Sequence, residues 1–89
     1  MIGGNYCWVC GSTTDLHTHE IYFGSGNRQV SIKNGFQVRL CGFHHNLSDK
    51  GVHFNKELDL ELKQHCQREY EKDHLRFDFM KLIGRNYLD

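Results

Sequence analysis

Residues 40–46 read LCGFHHN, and the two adjacent histidines govern how the chain must fold. Cys41-x-x-His44 is an ordinary spacing for two zinc ligands held by one tight turn, and Cys7-x-x-Cys10 supplies a second such pair. The 30 residues between them, 11–40, exceed the usual spacer of a small zinc finger. That segment must therefore fold on its own, as a strand, an excursion and a second strand, with the metal closing its base. His45 is the other histidine that could complete the set, and Cys-x-x-His, the commoner spacing, favours His44. Two pairs at ligand spacing outweigh the alternative of buried or free thiols. Cys66 has no partner in sequence and sits at a helical core spacing, so it reads as a buried thiol.

Neighbouring helical residues point about 100° apart. If His44 turns toward the zinc, His45 looks elsewhere. The segment LHTHEI, 16–21, offers His17 and His19 on one face of a strand and Glu20 on the other. A helix packed across a two-stranded ribbon brings His45 near the end of that first strand.

The chain has 89 residues, 38% hydrophobic and 25% charged, which is a globular composition and excludes wholesale disorder. A domain this small often needs a staple. No apolar run approaches the ~20 residues of a membrane span, and the N-terminus lacks a secretory pattern. Cys7 and Cys10 are too close for a comfortable structural disulfide. A reducing cytoplasm is the expected compartment, with no membrane partner. The formal charge of zero counts against a tight nonspecific DNA binder. Bound divalent ions would add positive charge, and Arg28, Lys33, Arg39 and Lys50 lie near the candidate site with few acids around them.

Composition changes near residue 54. Before it the chain is rich in Gly, Asn, Ser, His and Cys; after it comes charged, helix-favouring sequence. Residues 1–54 predict a knuckle, a strand over 16–23, a glycine-punctuated segment with a short helix, a strand FQVRL over 36–40, and a helix beginning close to His44. Residues 55–89 predict two helices packed on that core within one domain. The first has Asn55 as N-cap and Leu58, Leu62, Cys66 and Tyr70 spaced by four. The second starts after Asp73, ends at Gly84, and turns Phe77, Met80 and Ile83 inward. His65 and His74 read as ordinary histidines, as does His17, with a role behind the metal ligands conceivable. The fold class is α+β.

Cys7-x-x-Cys10, THEIYFG (18–24), NR (27–28) and LCGFHHN (40–46) together resemble the HNH, or ββα-metal, nucleases. The likeness is to small phage and prophage members related to the recombination-associated Ref-type nuclease; GVHFNKELD (51–59) and IGRNYL (83–88) extend it over most of the chain. The resemblance implies a zinc-stapled ββα-metal core followed by two C-terminal helices, and a metal-dependent endonuclease or nickase acting on DNA. It also implies one structural Zn²⁺ and one catalytic divalent ion, Mg²⁺, Mn²⁺ or another. The resemblance extends to DNA and a host recombinase as partners.

Carried over by position, the resemblance places His19 and Glu20 at the metal-binding and general-base positions of the first motif. It makes His45 a metal ligand, with Asp49 or His53 completing the site. Asn27 and Asn46 are both candidates for the middle asparagine. Glu20 stands where the pattern has a histidine, so either Glu20 takes the proton, or the register shifts and His19 is the base, or catalysis is weakened. Arg28 or Arg39 is suited to clamp the phosphate. The alternative is a weak or inactive zinc-stapled accessory module that binds DNA or protein in phage recombination or host conflict.

Overall fold

Strand β1 (Leu16–Glu20) pairs antiparallel with β2 (Gln37–Cys41), with Leu16 opposite Cys41, His19 opposite Val38 and Glu20 opposite Gln37. The computed structural model describes residues 1–24 and 26–88. Side chains alternate across a strand, so His17, His19, Val38 and Leu40 share one face. Thr18, Glu20, Gln37 and Arg39 share the other. The strand predicted to reach residue 23 ends at Glu20, and by Tyr22 the backbone N–H is bonded to a side chain of the intervening segment rather than to β2. Tyr22 is held by the Ser31 hydroxyl, which accepts from its N–H at 3.0 Å and donates to its carbonyl at 2.6 Å. Ser31 belongs to α1 (Asn27–Asn34), the short helix expected between the strands.

The N-terminal knuckle is pinned to β2 by the Trp8 N–H, which donates to the Arg39 carbonyl at 3.0 Å. Within the knuckle, the Cys7 N–H donates to Ser12 and the Gly11 N–H to Cys7, both at 2.8 Å. Helix α2 (Gly42–His45) is a single turn following directly on β2.

Helix α3 (Lys56–Glu71) begins as its sequence requires, the Asn55 side chain accepting from the N–H groups of Glu57 and Leu58. Its inner face is Leu58, Leu62, Cys66 and Gln67, with Tyr70 partly buried. Full burial of a leucine contributes roughly 1.5–3 kcal/mol. Gln67 is fully buried and satisfied: its amide nitrogen donates to Glu71 and Asn86, and its oxygen accepts from the Tyr87 N–H. The segment after the last helix is thereby tied to α3.

Helix α4 (Arg76–Ile83) ends at Gly84, whose φ of 86° closes the last turn. Its inward face differs from the expected one. Phe77 is 67% exposed and Met80 is also exposed, whereas Phe79 and Ile83 are buried. Phe79 sets its ring 5.4 Å from that of Tyr22 and 5.9 Å from that of Tyr70. An i, i+4 pair therefore points inward rather than an i, i+3, i+6 row, and Phe77 instead receives Lys81 over its ring.

The described residues thus form an α+β fold with a two-stranded antiparallel sheet and four helices. Buried residues before and after residue 54 belong to one cluster. No helix among the described residues is long and apolar enough to cross a membrane.

Candidate metal centres

The first centre gathers Cys7, Cys10, Cys41 and His44, whose ligand atoms all lie within 4.8 Å of one another. Cys10 Sγ stands 3.8 Å from Cys41 Sγ, and His44 Nδ1 stands 3.8 Å from Cys7 Sγ and 3.4 Å from Cys41 Sγ. A tetrahedral ion about 2.3 Å from each sulfur sets sulfurs about 3.8 Å apart. The four cysteines are free thiols. The cluster can therefore hold a metal ion such as zinc.

Local electrostatics prepare one thiolate there. Burial pushes the Cys7 thiol up, but the backbone of Cys41, Cys10 and Val9 and the Cys10 side chain outweigh it, leaving a pKa of about 6. Cys41 is raised, by burial first and by its neighbours Cys10 and Cys7, against a lowering by the backbone of His44. A metal that displaces its proton would remove that difference.

The second centre gathers His19, His45 and His53, one ring nitrogen from each lying within 4.8 Å of the others. His45 Nε2 and His53 Nε2 are 3.1 Å apart. Two nitrogens about 2.1 Å from one ion stand about 3.0 Å apart at 90° and about 3.4 Å apart at the tetrahedral angle, so the spacing fits shared coordination. His19 Nε2 is buried with no hydrogen-bond partner. A buried imidazole nitrogen without a hydrogen-bond partner, beside two others, fits a metal ligand. Burial drives the His19 pKa down to about 3, helped by His45, His53 and Lys63. His45 is lowered as well, by burial first, then by His53 and His17, with Glu20 opposing. Both rings are accordingly neutral near pH 7, the state that binds metal.

The chain path explains why His53, and not Asp49, joins His45. Helix α2 stops at His45, so the residue one helical turn later is no longer on a helix. The Ser48 hydroxyl donates to the Phe43 carbonyl and accepts from the Lys50 N–H, folding the chain back. Asp49 lies exposed on that turn, outside the cluster. On the return, the Val52 N–H donates to the His44 carbonyl at 2.9 Å and the His53 N–H to the His45 carbonyl at 3.3 Å. Gly51 permits this: a Cβ there would stand 2.7 Å from the His45 carbonyl oxygen.

A cleft of about 350 Å³ opens beside the histidines, lined also by Thr18, Glu20, Phe23, Gly24 and Arg28. Arg28 Nε donates to Glu20 Oε1 at 3.0 Å, with Arg28 largely exposed and Glu20 largely covered. Arg39 is not among the lining residues; it lies on the strand face away from His19, with its Nε buried and unpartnered. Asn27 is engaged elsewhere, donating to the Ile83 carbonyl, and Asn46 is the exposed residue after α2.

Sequence reasoning gave little weight to His17. Its Nδ1 lies 2.8 Å from His45 Nδ1, and its Nε2 lies 3.2 Å from Asp15 Oδ1. Its position on the same strand face as His19 was the available signal. Lys63 was missed entirely; it sits over the Phe23 ring at 4.5 Å, placed by the fold of α3 rather than by any local pattern.

Comparison with protein-family models, with curated proteins and with solved structures finds no match to this chain in any of the three.

Proposed function

We propose that this chain is a small metal-dependent HNH endonuclease or nickase of phage or prophage origin, built on a ββα-metal core with a structural zinc. One observation supports the reading: consecutive histidines stand in separate clusters, His44 among the cysteines and His45 beside His19, His53 and the cleft.

The residues have distinct tasks in this reading. His19, His45 and His53 would hold the ion. An ion there would supply Lewis acidity to the phosphate and offset the charge that develops on the leaving oxygen. His19 is buried and its ring is hard to protonate, which makes it a better ligand than base. Glu20 would take the proton from the water that adds to phosphorus as the bond to the 3′ oxygen breaks, and the departing oxygen would take a proton from bulk water. Arg28 offers a guanidinium that matches phosphate geometry. A phosphate drawing Arg28 away would release Glu20 for this task. An all-imidazole set suits Zn²⁺ or Ni²⁺ better than Mg²⁺, so Mg²⁺ is expected to be the weakest supporter.

Incubation of supercoiled plasmid with Mg²⁺, Mn²⁺, Ni²⁺ or Zn²⁺ tests this. Nicking by the wild type that His45→Ala abolishes, with zinc retained among the cysteines, is the expected result. No nicking with any of these ions would sink the enzymatic reading. A second reading, an accessory module that binds without cutting, draws on the formal charge of zero and on the pairing of Arg28 with Glu20. DNA binding without cleavage would favour it.

A further inference from the structure

We infer that Asp15 and His17 are positioning residues that fix the tautomer of His45 and aim its Nε2 lone pair at the His19–His53 cluster. The inference rests on the reading of that cluster as an ion site.

The argument follows the hydrogen bonds outward from the carboxylate. An ionised carboxylate only accepts, so His17 Nε2, at 3.2 Å from Asp15 Oδ1, must carry the proton. In a neutral ring the other nitrogen is then an acceptor. His17 Nδ1 faces His45 Nδ1 at 2.8 Å, so His45 Nδ1–H is the donor. His45 Nε2 is left with its lone pair, and it is the atom 3.1 Å from His53 Nε2. With His17 neutral, each step leaves one arrangement. The outcome is the tautomer that a ligand binding through Nε2 requires, held by a partner behind it.

The backbone supports the same role. Asp15 has a φ of 51°, the single non-glycine residue with positive φ among those described. Its carbonyl accepts from the Gly42 N–H at 3.0 Å, joining the entry of β1 to the start of α2. Asp15 is thus held where its carboxylate reaches His17.

The test uses protein with zinc in the cysteine site and reads second-site affinity for Ni²⁺ by calorimetry, with ¹⁵N-detected imidazole spectra before Ni²⁺ is added. Asp15→Gly removes the carboxylate and tolerates positive φ; His17→Ala removes the relay. Each is expected to weaken Ni²⁺ binding about 10- to 100-fold. The double variant should be no weaker than His17→Ala alone, since Asp15 acts through His17. Wild-type His45 should carry its proton on Nδ1, and His17→Ala should lose that preference. Affinities within two-fold of wild type in both single variants would overturn the inference while leaving the ion site intact, as would a His45 proton on Nε2. A wild type that takes up no Ni²⁺ would overturn the ion reading instead; the spectra would still decide whether His17 sets the tautomer. Weakened variants of a wild type that binds Ni²⁺ but cuts no DNA would support the inference and count against cleavage alone.

Discussion

His44 and His45 are consecutive, yet His44 sets its Nδ1 3.4 Å from the Cys41 sulfur while His45 sets its Nε2 3.1 Å from that of His53. One turn of helix directs two imidazoles to two centres, so substitutions at adjacent positions should have unlike consequences.

Replacing a sulfur ligand tests the staple. A structural zinc carries apparent binding energies of about 10–16 kcal/mol, against a typical domain stability of about 5–15 kcal/mol. Cys41→Ser is therefore expected to abolish cooperative unfolding, followed by far-UV circular dichroism and zinc content. A normal melting curve for that variant would contradict a stapling role.

Asp49 and His53 test the path of the chain after α2. His53→Ala is expected to lower second-site Ni²⁺ affinity by at least about ten-fold and to reduce plasmid nicking in parallel. Asp49→Ala, changed on an exposed turn, should leave both within two-fold. The reverse ranking would mean that the second centre is assembled differently.

Gly51 tests the returning loop. Its substituent would meet His45 O at 2.7 Å and His45 C at 2.8 Å, both backbone atoms that cannot swing aside. Gly51→Ala should cost roughly 1–3 kcal/mol in a urea titration. It should also weaken Ni²⁺ binding, because the loop carries His53. A variant as stable as wild type would show that the loop is not tightly seated.

His19 gives a pH dependence with a definite sign. Its folded pKa of about 3 lies below the ordinary value of 6.5. Between those values the unfolded chain binds a proton that the folded chain refuses, so stability rises with pH in that window. The contribution is complete above pH 6.5 and is lost as pH falls toward 3. At pH 5.5 the loss from this group is on the order of 1 kcal/mol. Urea midpoints at pH 7.5 and 5.5, compared between wild type and His19→Asn, isolate it, since proton competition at the cysteines is common to both. An equal drop in both proteins would contradict the burial argument.

Local signals were enough for much of this. Asn55 caps α3 because its short side chain reaches the first free N–H groups. Gly84 ends α4 because it accepts positive φ. Cys-x-x-Cys and Cys-x-x-His brought four ligands together without knowledge of the fold. The inward face of α4 was not legible, because apolar residues occupy two faces and the ring of Tyr22 selects Phe79. The choice of His53 over Asp49 depends on where a one-turn helix stops and on a glycine six residues beyond His45. Neither is a periodic feature. The roles of His17 and Asp15 needed the strand register and the position of α2 together.

The doubled-back loop that ties residue 52 to residue 44 and residue 53 to residue 45 gives the molecule a mechanical dependency. The residues of that pair are held by the same short stretch of backbone, so loss of an ion from among the sulfurs would slacken the support of His45 and His53. Protein from which the knuckle ion has been stripped should therefore bind nickel at the histidine cluster more weakly than protein that retains it.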